Sequence, residues 1–185
     1  MRKIKVGIIG FGTIGSGVVK ILASSRDLIR QRLGAEVEVI KIADLDITSD
    51  RGVEVNSSLL TTDAKEMIDN PDVDVVVELM GGYEPARSFM LQAIAGGKHV
   101  VTANKALIAK HGDEIFAAVE DQQVSIGFEA AVAGAIPIIR LIREAFVANG
   151  IITIEGIVNG PANYILSKMS DEQCDFDVAL KEAQE

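Results

Sequence analysis

Short runs rich in valine and isoleucine alternate along this chain with longer segments of helical period. "KIKVGII" reads as a strand and "TIGSGVVKILASSRDLIRQRL" as one long helix. "EVEVIKIAD" is a second strand, and "TTDAKEMIDNPD" is a short helix with a Thr/Asp start and a proline at its exit. "VDVVVELM" is almost continuously apolar, the pattern of a strand buried on both faces of a parallel sheet. "EPARSFMLQAIAGG" carries proline near its start and glycines at its end, as helices do. "HVVT" is a strand, "KALIAKHGDEIFAAVEDQ" a helix and "QVSIGFEA" a strand. This strict alternation predicts an α/β fold, a doubly wound parallel sheet.

After "EAAVAGAIP" the character changes. "IIRLIREAFVANG" reads as a helix, "IITIEGIVNG" as a longer strand, and "PANYILSKMS" and "DFDVALKEAQE" as helices. The change falls near residues 129 to 135, and we divide the chain at 1–132 and 133–185. The second part reads as the beginning of an α+β domain, too short to close a core, and the whole chain as the front portion of something longer.

Composition narrows the function classes. With 18 Lys and Arg against 27 Asp and Glu, the formal charge is −9, which argues against a nucleic-acid partner. At 48% apolar residues there is material for a core, yet no run is long enough to span a membrane. The N-terminal run imitates a secretion signal only superficially, because glycines punctuate it and Lys20 interrupts it. A single cysteine, Cys174, forbids an intrachain disulfide and suits a reducing, cytoplasmic setting.

The first loop carries chemistry. Gly10-Phe11-Gly12-Thr13-Ile14-Gly15 is a G-x-G-x-x-G that follows a strand and opens a helix, the context that gives this pattern weight in a Rossmann-like fold. Gly10 permits the turn, Gly12 lets a pyrophosphate approach the backbone, and Gly15 lets helix and strand pack closely. The second strand ends at Asp44, where an acid accepts from ribose hydroxyls. An acid there favours NAD over NADP, although Arg51 in the next loop offsets this if it folds back. Asp44 also reads as a plain strand terminator.

In such a sheet, ligands lie beyond the carboxyl ends of the strands. Met80 and Gly81 end one strand there; Asn104 and Lys105 follow another. Asn104 suits a helix N-cap. Lys105 then sits in the first helical turn, where the dipole disfavours a cation. A use at that edge explains it: holding a substrate carboxylate or hydroxyl, or stabilising charge during hydride transfer. The alternative is a snorkelling surface lysine. Lys110, further along, reads as solvated.

"GIIGFGTIGSGVVKIL", "VVVELMGGYEPA", "KHVVTANKALIAKHG", "FEAAVAGAIPII" and "IEGIVNGPANYILSKM", in this order, resemble homoserine dehydrogenase across essentially the whole chain. The resemblance implies an NAD- or NADP-dependent oxidoreductase that interconverts L-homoserine and L-aspartate 4-semialdehyde in threonine, methionine and isoleucine synthesis. It implies that Lys105, the lysine of "TANK", lies beside nicotinamide and substrate, and that the parent is a homodimer or higher homo-oligomer. "EAAVAGAIP" resembles the family's monovalent-cation (Na+) site, which carries over to Glu129, Val132, Gly134 and Ile136, the last three through backbone carbonyls. Without the resemblance this segment reads as a domain hinge.

Three departures bear on that reading. The family's principal catalytic lysine and aspartate, and a substrate-binding glutamate, lie beyond the segment matching "ALKEAQE", so residues 1–185 alone are expected to be inactive. Pro161 replaces a hydroxyl residue in "NGP". Ala43 stands where many members carry a basic residue suited to a 2′-phosphate. His99 and His111 lack partners at metal-ligand spacing, and Cys174 stands among acids, a poor setting for a nucleophilic thiol. Two other classes stay open: another two-domain NAD(P) oxidoreductase, and a non-catalytic NAD(P)-sensing module.

Overall fold

The strand β1 (Lys3–Ile9) lies at the centre of a parallel sheet, pairing with β2 (Glu36–Ala43) on one side and β4 (Val75–Glu78) on the other. The structure, a computed structural model, describes residues 1–157 and 159–185. Adding β3 (Leu60–Thr61), β5 (His99–Thr102) and β6 (Ile126–Gly127) gives the order β3-β2-β1-β4-β5-β6. Every pairing is parallel. The chain runs outward in one direction from β1 to β3 and then restarts on the other side at β4, the doubly wound topology expected from the pattern. The reversal lies between β1 and β4, where such folds open a crevice at the strands' carboxyl ends.

Alternate side chains of the central strands feed two cores. Ile8, Ile42 and Val77 pack with Val19 and Phe11 on the face covered by α1 (Thr13–Ser24). Ile9, Val76 and Val100 pack on the other face. There they meet Met67 of α3 (Ala64–Ile68), Met90 and Ile94 of α4 (Ala86–Ala95), and Leu107 and Ile115 of α5 (Lys105–Asp121). Burial on both faces is why β4 reads as an unbroken apolar run.

Contacts divide the chain into Met1–Ala131 and Val132–Glu185. In the second unit, α6 (Ile138–Arg140) continues as a π turn, Leu141–Ala145. Farther on, α7 (Gly160–Glu172) and α8 (Phe176–Gln184) pack through Ile165 and Ala179. Lys168 joins them by ion pairs to Glu172 and Glu182 at 2.9 and 2.7 Å.

Several sequence expectations need correction. The long first helix is two, because α2 (Arg26–Leu33) starts afresh after Ser25. Ser24 Oγ donates back to the Ile21 carbonyl, the local bonding by which serines compete with helix propagation. The "QVSIGFEA" strand shrinks to Ile126–Gly127. The "IIRLIREAFVANG" helix holds only to Ala145. The "IITIEGIVNG" strand is absent over 151–157. A strand's amides and carbonyls need a neighbouring strand, and 151–157 pairs with none among the described residues; position 158 lies outside them.

Candidate functional site

Each glycine of the first loop has a different mechanical reason to be there. Gly10 adopts φ +98°, and a Cβ on it would lie 2.7 Å from the Leu79 carbonyl. A Cβ on Gly15 would lie 2.0 Å from the Gly10 carbonyl oxygen, so helix and loop touch with no room for a methyl group. Gly12 is different: its φ is an ordinary −70°, and nothing lies within 4 Å of an added Cβ. The space over Gly12 is open in the fold itself. A glycine is therefore needed there only if something else enters that space.

No side chain caps α1, and its first turn holds no acid. Among the other helices of the first unit, Asp63 caps α3 and Asn104 caps α5, while α2 and α4 also lack a side-chain cap. The amides of Thr13, Ile14 and Gly15 are thus left without intrahelical or side-chain acceptors, at the positive end of the helix dipole. Thr13 and Ile14 are exposed, whereas Gly15 is buried. Phe11 is not free to meet a ligand with its ring, which is buried in the core beneath α1.

A cleft of about 490 Å3 opens beside this loop. Gly10, Gly12, Asp44, Leu45, Lys65 and Met80 are among the residues lining it. The structure thus brings four of the sequence-predicted residues to one cavity: Gly10, Gly12, Asp44 and Met80. Phe11, Thr13, Ile14, Gly15, Gly81, Asn104 and Lys105 do not line it. Lys65, unremarked in the sequence, does.

Asp44 sits half-buried just past β2. One carboxylate oxygen accepts from the Phe11 amide and the other from the Asp46 amide at 2.9 Å. A carboxylate has further lone-pair sites, so it remains able to accept from hydroxyls entering the cleft. Arg51 does not fold back to the loop. Its Nη2 donates to the Asp46 carboxylate at 3.0 Å and the Asp46 carbonyl at 3.2 Å, while Nε is buried without a partner among the described residues. Amide and hydroxyl donors from Ser49 and Thr48 hold the Asp46 carboxyl far below the usual range.

The edge formed by β4 and β5 is organised by a residue the sequence reading missed. Glu78, the last residue of β4, is fully buried. Its Oε1 accepts from the amides of Met80 and Gly81 at 2.9 and 3.2 Å, and its Oε2 accepts from the Thr102 hydroxyl at 2.6 Å. Thr102 Oγ1 in turn accepts from the Asn104 amide at 2.9 Å. The Asn104 side chain donates through Nδ2 to the Gly82 carbonyl at 2.7 Å and accepts from the Leu107 amide at 3.1 Å. Asn104 is therefore both the cap of α5 and a clamp on the turn after β4. Gly81 and Gly82 take φ +74° and +73°, which a Cβ would disfavour. A carboxylate within the apolar run "VDVVVELM" was the available signal, since a buried acid has to find donors.

Lys105 is the first residue of α5, and its side chain is exposed. Its ammonium has no hydrogen-bond or ion-pair partner among the described residues. Lys110 is also exposed but not simply solvated: its Nζ sits 4.3 Å from the centre of the Tyr83 ring, and His111 meets the same ring edge-on. His99 accepts from the Ser125 amide through Nδ1. Cys174 is half-buried, its thiol facing the Lys168 carbonyl.

Glu129 opens a short 3-10 helix at the end of the first unit. Val132, Gly134 and Ile136 belong to the second unit, in a segment where Ala133 and Ala135 take φ +46° and +66°. No cluster of three or more His, Cys, Asp or Glu side chains suited to a metal occurs among the described residues. No helix among them is long and apolar enough to cross a membrane.

An uncapped helix start, a carboxylate just past the adjacent strand and an open space over the middle glycine are the features of a dinucleotide-binding α/β domain. Comparison with known proteins agrees: residues 10–129 match the family described as "Homoserine dehydrogenase, NAD binding domain", and residues 137–185 match "Homoserine dehydrogenase". The chain belongs to the homoserine dehydrogenase family. It is 43% identical over 185 residues to homoserine dehydrogenase of Bacillus subtilis and 46% identical over 184 residues to that of Pseudomonas aeruginosa. The match takes in all of this chain but only 43% and 42% of those relatives. Among solved structures, a homoserine dehydrogenase from Thiobacillus denitrificans matches all of the chain with a TM-score of 0.85 at 48% identity, the match taking in 42% of that protein. A hyperthermophilic archaeal homoserine dehydrogenase mutant, solved in complex with NADPH, matches 99% of it with a TM-score of 0.79 at 26% identity, over 61% of that protein.

Proposed function

We propose that this chain is the cofactor-binding part of an enzyme that interconverts L-homoserine and L-aspartate 4-semialdehyde with NAD or NADP. The observation that carries the reading is the uncapped start of α1 beside a cleft lined by Gly10, Gly12 and Asp44. Those residues fit the group. The amides of the first turn meet phosphate oxygens, Gly12 leaves space for them, and Asp44 accepts from a ribose. A bound nicotinamide dinucleotide supplies the hydride acceptor and donor of the reaction.

The chain's own residues place the ring and the substrate. Met80, Gly81 and Asn104 border the nicotinamide on this reading, and Lys105 offers its ammonium to a substrate oxygen. That role accounts for a cation in a helical turn that disfavours it. Lys105 is the one candidate catalytic residue, and residues 1–185 alone bind cofactor without oxidising homoserine. Cofactor choice favours NAD, because Ala43 carries no charge and Arg51 is committed to Asp46.

The reading extends to Na+ on Glu129 and the carbonyls of Val132, Gly134 and Ile136, supported by the irregular backbone at Ala133 and Ala135. It extends also to a homodimer or higher homo-oligomer, supported by the exposed Ile152 and Ile154, and to the cytoplasm, which suits a lone cysteine. The test is homoserine-dependent formation of reduced nicotinamide, followed by absorbance, in a protein of the relatives' full length. Steady turnover is expected. NAD(P) binding with no homoserine-dependent turnover would favour a sensing module instead.

A further inference from the structure

We propose that Glu78 is a positioning residue that sets the nicotinamide half of the site; this rests on the cleft being a dinucleotide site. Two loops must hold their relative position for a ring to lie between them, the turn after β4 and the start of α5. In this fold the only covalent connection between them is the length of α4 and β5. Glu78 supplies the direct one. Oε1 gathers the amides of Met80 and Gly81, fixing the turn, and Oε2 takes the Thr102 hydroxyl from the neighbouring strand.

The direction of the hydrogens makes this a chain of connections rather than three separate ones. Thr102 Oγ1 accepts from the Asn104 amide, so its own proton goes to Glu78. Asn104 then closes the ring by donating from Nδ2 to the Gly82 carbonyl, two residues beyond the amide Glu78 holds at Met80. Turn, strand and helix start form one closed loop of hydrogen bonds, and Lys105 is the next residue along the backbone. Glu78 needs both oxygens as acceptors on opposite sides. An amide side chain has one acceptor oxygen: turned to the Met80 and Gly81 amides it leaves the Thr102 proton without its acceptor, and turned to Thr102 it sets an NH2 group against those two amides.

Burial gives the arrangement its stiffness. Glu78 and Thr102 are fully buried and Asn104 is 8% exposed, so water cannot replace a broken member of the loop. A buried acid held only by neutral donors is a costly way to end a strand. The pairing of β1 with the end of β4 does not need it, because the Ile9 carbonyl already accepts from the Leu79 amide.

The test compares two ligands on the 185-residue chain: NADH, and ADP-ribose, which lacks the nicotinamide ring. Thr102→Val removes the hydroxyl at constant volume, and Glu78→Gln removes one acceptor. Each is expected to weaken NADH about tenfold or more, to change ADP-ribose affinity less than about twofold, and to reduce the fluorescence change of the bound reduced ring. Thr102→Ser is expected to restore the wild-type values. If Glu78→Gln fails to fold, the Thr102 pair decides alone. Equal losses for both ligands, or no loss for NADH, would overturn the positioning role. If the wild-type chain binds neither ligand, the dinucleotide reading itself falls, and this role with it.

Discussion

The Phe11 amide donates to the Asp44 carboxylate, tying the glycine loop to the end of the adjacent strand. Asp44 therefore acts twice on the cofactor reading, once as the ribose acceptor and once as the brace that holds the loop open. Asp44→Ala is expected to weaken NAD binding about 100-fold, near the upper end for hydrogen bonds to a charged group. Asp44→Asn keeps one acceptor and is expected to lose less than Ala. Calorimetric titration of the two variants checks this; equal affinity of both with the wild type would leave Asp44 as a strand terminator only.

Gly12 and Gly15 are expected to separate binding from folding. A methyl group at Gly15 collides with backbone at 2.0 Å, so Gly15→Ala forces the loop apart and is expected to cost about 3 kcal/mol or more. Gly12→Ala meets nothing, and as a change at the N-cap of α1 it is expected to cost no more than about 1 kcal/mol. Thermal unfolding of the two variants reads this contrast without any ligand.

Cofactor choice turns on three side chains. Ala43 is neutral, Asp44 repels a 2′-phosphate, and Arg51 is held by Asp46. NAD is expected to bind at least as tightly as NADP in paired titrations. A clear NADP preference would contradict this and point to Lys65, the cation that lines the cleft near Asp44.

Lys105 and Lys110 share a helix but not an environment. Lys105 has no partner among the described residues beside the β4–β5 edge, while Lys110 stacks on Tyr83. In a protein of the relatives' full length, Lys105→Ala is expected to lower kcat about 100-fold, the scale of a lost charge-stabilising group. Lys110→Ala is expected to change it less than about threefold. Steady-state rates with homoserine measure both, and comparable losses would remove the case for Lys105.

Much of this was legible in the residues. The alternation gave the sheet, because burial on both faces writes itself as unbroken apolar runs. The glycine spacing gave the loop, because each glycine answers a local backbone demand. What stayed hidden depends on partners far apart in sequence. The break at Ser24 and Ser25 interrupts a pattern that period alone continues. The strand β3 is two residues long, too short for any alternation. The role of Glu78 is not written in its neighbourhood, because its partner Thr102 lies 24 positions away. The unpaired 151–157 segment carries a strand's pattern, but pattern cannot supply a neighbour.

The central claim is that the cleft at Gly12 is the dinucleotide site. Calorimetric titration of the 185-residue chain with NADH, beside Gly12→Val, tests it most directly. The wild type is expected to bind one equivalent. The variant is expected to bind none while keeping its circular dichroism spectrum, because its side chain fills space that the fold leaves open. Undiminished binding by a folded Gly12→Val chain would contradict the claim.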